Sequence, residues 1–414
     1  MGSRLPDLDR DGRLVLAAKA VRAFAFGLNS VVLGLYLAEL GLSPLVAGAV
    51  FAAALLGTML LTLVIALRGD HIGRRRLLVA GSLLMALAVF IPVVGATPAL
   101  LVLIGLTGMV AVTSNESTGL HSVDQAILPQ TVPIEGRTDA FALYSLVAFA
   151  ATAVGAIVVG PLVAVGERLG LVGPDRYGPA FVAYAVAGVV AAALATRLDA
   201  AAEVGGSIEP GFAIRRSRGV VARLSSLFAL DSFAGGLVVQ SFLAYYLSTR
   251  FGFDPGQVGA LFFAGSLLGA ASFPVAARLA RRIGLIRTMV FTHIPSSLLL
   301  IALAAVPPDA IGLAALLYLA RALLSSMDVP TRQSYVMAVV DPSERTATAG
   351  VTSLARSAAQ TAGPLVAGAV LVPIGLGAPL VVCGLLKITY DVLLYTAFRA
   401  RPAPGEVLPA PAEA

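Results

Sequence analysis

Tryptophan is absent from the 414 residues, cysteine occurs once and histidine three times. The lone Cys383 lies in an apolar run, which excludes a disulfide or a thiolate metal site within the chain. His71, His121 and His293 are scattered without the spacing of metal ligands. No Walker-type phosphate loop and no Gly-x-Ser-x-Gly elbow is written anywhere, so neither ATP-driven nor acyl-transfer chemistry has its signature. Charge is scarce too. Only 13% of residues are Asp, Glu, Lys or Arg, against about 25% in globular domains. The expectation is a protein that is not an enzyme and needs no cofactor.

What is present is apolar length: 58% of the residues are hydrophobic and the mean hydropathy is +0.90. A membrane-spanning helix needs about 20 apolar residues. Twelve stretches qualify, at roughly 15–39, 45–67, 77–95, 98–122, 138–165, 178–196, 220–248, 256–277, 288–306, 310–334, 346–373 and 376–398. Turns rich in Gly, Pro and Asp separate them, such as 41–44 and 252–255. The expected fold class is an all-α integral membrane protein with twelve transmembrane helices. Met1 to Arg13 reads as a polar tail rather than a cleavable signal.

Basic residues exceed acidic ones, 29 to 23, but they sit in short turns beside apolar runs. That placement argues for a lipid bilayer and against a nucleic-acid partner. With the amino terminus inside, the inner turns and tails hold 21 of the 29 Lys and Arg and the outer turns hold three, Arg168, Arg176 and Arg250. The asymmetry places both termini in the cytoplasm and the chain in the cytoplasmic membrane. Five cations lie within spans: Lys19, Arg22, Arg321, Arg356 and Lys387.

The turn Arg68 to Arg76, RGDHIGRRR, returns in weaker form as Arg278 to Arg287. Other matches follow in order. Arg22 to Leu28 aligns with Asp231 to Leu237 at an offset of 209, and Gly41 to Pro44 with Gly252 to Pro255 at 211. Gln125, Arg137 and Ser145 align with Gln333, Arg345 and Ser353 at 208, and Gly160-Pro161 answers Gly363-Pro364. The chain therefore divides into a six-helix bundle at 1–196, a linker at 197–219, a second six-helix bundle at 220–398 and a tail at 399–414. Six spans per unit give parallel repeats about an axis along the membrane normal.

This layout, with a D-x-x-G-R-R turn between spans 2 and 3, resembles the major facilitator superfamily over essentially the whole chain. Asp70, Gly73, Arg74 and Arg75 match the family's loop signature, while Ala66 and His71 depart from it. The resemblance implies two pseudo-symmetric bundles around a central cavity lined by spans 1, 4, 7 and 10. It also implies that Asp70 meets the start of span 11 and latches the cytoplasmic side. Asp124 is the natural partner of Arg74 or Arg75 there, and Arg281 and Arg332 are the repeat mates of Asp70 and Asp124. A plain basic turn is the alternative.

Ionisable groups inside a bilayer are rare and usually functional. Asp231 lies eight residues past Arg223, so about 12 Å deep at the helical rise. Arg22 holds the equivalent place in span 1, and the two are expected to face each other between the halves, as a switch or as a static pair. Glu116 is the only acid of its apolar stretch and suits a proton carrier, or else a satisfied polar contact. Arg321 and Asp328 share a face of span 10. Arg321 resembles the transmembrane Arg that family exporters carry in span 4, where this chain has Thr113. Asn29, Gln240, Tyr36 and Tyr245 are candidates for lining a substrate cavity, with helix glue or interfacial anchoring as the other reading. Lys387 and Asp391, spaced i,i+4, are expected to neutralise each other, with His293 at the same depth.

These features read as a monomeric secondary transporter for a small molecule, driven by protons through Glu116 or Asp231. Mostly apolar walls favour efflux of hydrophobic or amphipathic compounds. Alternatives left open are an uptake symporter for an organic anion, with Arg22 and Arg321 as its anion-binding groups, a lipid flippase, and a membrane sensor that does not transport.

Overall fold

The computed structural model describes residues 8–91, 97–113, 119–133, 137–199, 216–341 and 344–399. Among these there is no strand, and ten helices are long and apolar enough to cross a membrane. The first half holds α1 (Arg10–Glu39), α2 (Pro44–Ile72), α3 (Arg74–Met85), α4 (Pro98–Gly105), α5 (Gly119–Ile127), α6 (Arg137–Ile157), α7 (Val159–Arg168) and α8 (Gly178–Ala195). The second holds α9 (Arg218–Leu237), α10 (Gln240–Phe251), α11 (Pro255–Ile283), α12 (Leu285–Ala305), α13 (Ile311–Ser325), α14 (Asp328–Val339), α15 (Arg345–Val366) and α16 (Ala378–Phe398). Spans 3 and 4 are seen in pieces, because residues 92–96 and 114–118 lie outside the described set.

Local chemistry sets the boundaries. Asp9 caps α1 by accepting from the Gly12 N–H at 2.8 Å. Pro44 and Pro255 open α2 and α11, where a missing N–H costs nothing. Gly73 and Gly284 precede α3 and α12 with φ of 95° and 90°, a conformation that L side chains resist. These two glycines are 211 residues apart, so the repeat is legible in backbone angles as well as in letters. Span 7 is broken: α9 ends at Leu237, and α10 restarts at Gln240 after Val238 and Val239.

Two compact units emerge, 1–210 with 239–263 and 211–238 with 264–414, and the division falls at the break in span 7. In the first unit α1 is the central post, packed on α6, α8 and α10. Its crossings are made by glycine. A Cβ on Gly27 would stand 2.0 Å from the Thr152 carbonyl oxygen, one on Gly155 2.0 Å from that of Phe24, and one on Gly34 1.9 Å from that of Ser241. In the second unit α9 packs on α15 and α16, and α12 on α13, α14 and α16. There a Cβ on Gly236 would lie 2.3 Å from the Gln360 oxygen, and one on Gly363 2.3 Å from the Gly236 carbonyl carbon.

The α1/α6 and α9/α15 crossings thus use matching positions, Gly27 and Gly155 against Gly236 and Gly363. This corrects one detail of the sequence alignment. The structural counterpart of Gly363 is Gly155, at the unbroken offset of 208, whereas Gly160 packs on Gly256 at the other end of the span. A shared Gly-Pro dipeptide misled the comparison by five residues.

Gly27→Ala and Gly236→Ala are expected to destabilise the protein by about 1–3 kcal/mol each, the usual cost of overpacking. Gly312→Ala, with nothing within 4 Å of the new Cβ, should leave the melting temperature unchanged or raise it slightly. Thermal unfolding of purified protein in detergent checks all three.

Candidate functional site

A charge inside hydrocarbon needs a countercharge or hydrogen bonds close by. In the first unit Arg22, fully buried on α1, donates through Nη2 to Oδ2 of the equally buried Asp124 on α5. Tyr144 of α6 donates to the same oxygen at 2.8 Å. Because that hydroxyl proton is spent on Asp124, the Tyr144 oxygen accepts from His121 Nδ1 at 3.0 Å, and His121 Nε2 accepts from Gln125 at 3.0 Å. Lys19 lies over the Tyr144 ring, 5.0 Å from its centroid.

In the second unit the equivalent pair is present with its signs exchanged. Asp231 on α9 is the repeat mate of Arg22, and Arg332 on α14 is the mate of Asp124. Arg332 Nη1 lies 3.5 Å from Asp231 Oδ2 and 2.7 Å from Asp328 Oδ2. Asp231 Oδ1 also accepts from Lys387 Nζ of α16 at 2.6 Å. Lys387 in turn stands 3.4 Å from His293 Nε2 on α12, while His293 Nδ1 is 3.1 Å from both oxygens of Asp391. An ammonium can only donate, so Nε2 is the acceptor and Nδ1 carries the hydrogen given to Asp391. The result is a continuous chain: Asp391, His293, Lys387, Asp231, Arg332, Asp328.

All of that chain but Asp391 lines a cavity of about 230 Å³ inside the second unit. Arg321 of α13, Arg356 of α15 and the serines Ser296, Ser297 and Ser325 complete it, and only Leu300 and Val329 among its twelve lining residues are apolar.

Of the residues singled out from sequence, Asp231, Arg321, Asp328 and Arg332 converge here. The partnerships differ from those expected. Sequence reasoning turns Arg22 toward Asp231; in the structure each finds its countercharge inside its own unit. It gives Asp124 to Arg74 or Arg75; the contacts seen for Asp124 are with Arg22 and Tyr144, while Arg75 donates to the Leu198 carbonyl at 3.3 Å and Arg74 is buried at the start of α3. It closes Lys387 on Asp391; the structure sends Lys387 to Asp231 and Asp391 to His293. An i,i+4 pair contributes only a few tenths of a kcal/mol, whereas Asp231, 6% exposed, needs a cation in contact.

Tyr36 is buried edge-on against Phe181 at 5.2 Å and donates to the Ile91 carbonyl, so it packs its own bundle. Asn29 donates to the Ala111 carbonyl at 3.0 Å. Gln240 and Tyr245 are half-buried on α10, Tyr245 stacked on Phe242, and Arg281 is exposed at the end of α11. Glu116 and the side chain of Asp70 lie outside the described residues. Arg356 was not singled out from sequence, although it was one of the five cations inside spans; its partners depend on how α15 is rotated.

With this geometry in place, comparison with known families is decisive. The Major Facilitator Superfamily profile matches residues 15–325 and 224–414. The chain belongs to the major facilitator superfamily. It is a secondary transporter, not an enzyme. An uncharacterized membrane protein of Saccharomyces cerevisiae, YJR124C, is 25% identical over 94% of both chains. Among solved structures of the same fold are the nucleoside transporter NupG (TM-score 0.72, 14% identity, 95% of this chain and 99% of that one) and a bacterial homologue of the iron transporter ferroportin (0.71, 17%, 94% and 98%). A D-xylose-proton symporter also shares it (0.68, 13%, 96% and 99%). At such identities the likeness speaks for the superfamily fold alone.

Removing one member of a buried ion pair strands the other charge. Asp124→Asn is therefore expected to cost about 3–5 kcal/mol, and the double replacement Arg22→Met with Asp124→Leu to recover most of that loss. Reversible unfolding in mixed micelles measures both.

Proposed function

We propose that this superfamily member is a secondary active transporter of a small polar solute, coupled to protons, with the cavity of the second unit as its binding place. The observation that carries the reading is the lining: ten of twelve residues are polar or ionisable. Apolar walls, the basis for expecting hydrophobic cargo, describe the spans as a whole. The cavity instead gathers the few polar residues that those spans contain. A solute that must shed water on entry needs hydrogen-bond partners in place, and this lining supplies them.

Asp231 is the proton-coupling group in this reading. Its carboxylate holds Lys387 and Arg332 together. Protonation would loosen both cations, and a bound solute would offer them a substitute. Coupling then arises because proton and solute act on the same two cations, which makes their binding energetically linked. Alternating access exposes the cavity to each side in turn, with the turn from Asp70 to Arg75 as the cytoplasmic latch.

The test uses protein in liposomes containing a pH-sensitive dye, with an imposed proton gradient and a panel of sugars, nucleosides and organic acids. Wild type is expected to move protons only with a panel member, and Asp231→Asn to lose that movement. The sign of the flux separates efflux from uptake. Proton movement retained in Asp231→Asn would overturn the assignment of the coupling group.

A further inference from the structure

The charges around this cavity do not balance. Four cations, Arg321, Arg332, Arg356 and Lys387, line the cavity. Against them stand Asp231 and Asp328 in the lining and Asp391 behind it, an excess of one positive charge while His293 is neutral. All three carboxylates are engaged: Asp231 by Lys387 and Arg332, Asp328 by Arg332, Asp391 by His293. Arg321 and Arg356 are left facing the same space with no carboxylate in ion-pair contact among the described residues. Both are half-buried within spans, where an uncompensated guanidinium is costly.

The scaffold does not require them. At the offset of 208 their mates in the first unit are Thr113 and Ala148, and that unit packs the corresponding spans without a cation at either place. Two arginines that the architecture can do without, converging on one cavity, need a different explanation from helix packing.

We infer that Arg321 and Arg356 seat the oxyanion group of a small organic anion, a carboxylate or a phosphate. The planar guanidinium fork matches the two or three oxygens of such a group, as a point charge would not. Hydroxyl donors stand beside it. Ser296 and Ser325 reach backbone carbonyls only at 3.5 Å, the Arg321 and Ala322 oxygens respectively, bonds loose enough for either hydroxyl to turn toward a ligand. The volume of about 230 Å³ lies below the range of about 300–1,000 Å³ typical of drug-sized ligands, so the anion is metabolite-sized. This inference rests on the cavity being the solute site, and it narrows the polar solute to a negatively charged one.

The test is thermal unfolding of the full chain in detergent micelles at constant ionic strength. Probes are lactate, succinate and inorganic phosphate, with xylose and uridine as neutral comparisons. At least one of the three anions is expected to raise the melting temperature in a saturable way, and the two neutral solutes to leave it unchanged. Phosphate against the carboxylates decides which oxyanion is preferred. Arg321→Gln and Arg356→Gln should each weaken the apparent affinity about 10- to 100-fold, the worth of a hydrogen bond to a charged group. Arg168→Gln, at the exposed end of α7, should not change it. If a Gln variant does not fold, the Lys variant replaces it, with a smaller expected loss because charge is kept and the fork is lost. No saturable shift with any of the three anions overturns the proposal, as does affinity unchanged in both arginine variants. Anion binding without anion flux in liposomes would remove the transport reading and leave the seat standing. Flux of neutral solutes alone would keep transport and remove the seat.

Discussion

Hydrocarbon cannot hydrate a charge, and each ionisable side chain within a span has to be answered by another part of the protein. That requirement organises both units. The helices themselves are apolar on nearly every face, so packing alone tells one neighbour from another only weakly. The ionic contacts supply the distinction. Arg22 with Asp124 ties α1 to α5, and Asp231 with Arg332 ties α9 to α14. These contacts join matching positions of the two repeats with their polarity reversed. The glycine crossings, Gly27 with Gly155 and Gly236 with Gly363, join α1 to α6 and α9 to α15, equivalent pairs in the two repeats, without reversal. The fold therefore repeats in shape and inverts in charge.

The inversion has consequences because the second unit adds to its pair. Lys387 and His293 extend it toward α16 and α12, Asp328 extends it along α14, and Arg321 and Arg356 stand apart from it across a cavity. The first unit backs its pair with a relay of neutral groups: Tyr144 donates to Asp124, His121 bonds Tyr144 and Gln125 bonds His121. One unit thus surrounds its buried pair with neutral hydrogen-bonding groups and a single further cation, Lys19, and the other lines a cavity with several charges. This difference between otherwise similar bundles supports the proposal that solute and coupling ion meet in the second.

Much of the fold was legible in the sequence. Span positions followed from apolar length, the turns from Gly41, Gly73, Gly252 and Gly284, all with positive φ, and the repeat from offsets that persist in the packing. The burial of Asp231 and Asp328 and the half-burial of Arg321 were legible too, because an ionisable residue in an apolar run stands out wherever it falls. Partnerships were not. Which residue meets Asp231 depends on the rotation of α9, α12, α14 and α16 about their axes, and helices with apolar residues all round leave no stripe from which to read that rotation. The i,i+4 spacing of Lys387 and Asp391 points to a local pair, and yet Lys387 bonds Asp231 and His293 lies 4.0 Å from the same carboxylate. Arg356 escapes a sequence reading because its neighbours depend on the rotation of α15.

The central claim is that the charged groups of the second unit form one connected network on Asp231 rather than separate pairs. A double-mutant cycle tests it most directly, with Lys387→Met and Arg332→Met made singly and together and unfolding free energies measured in mixed micelles. Because both cations share the Asp231 carboxylate, the account predicts an interaction energy of about 0.5–3 kcal/mol, the range for residues in one network. Effects that simply add would mean that the two cations act independently, and would contradict it.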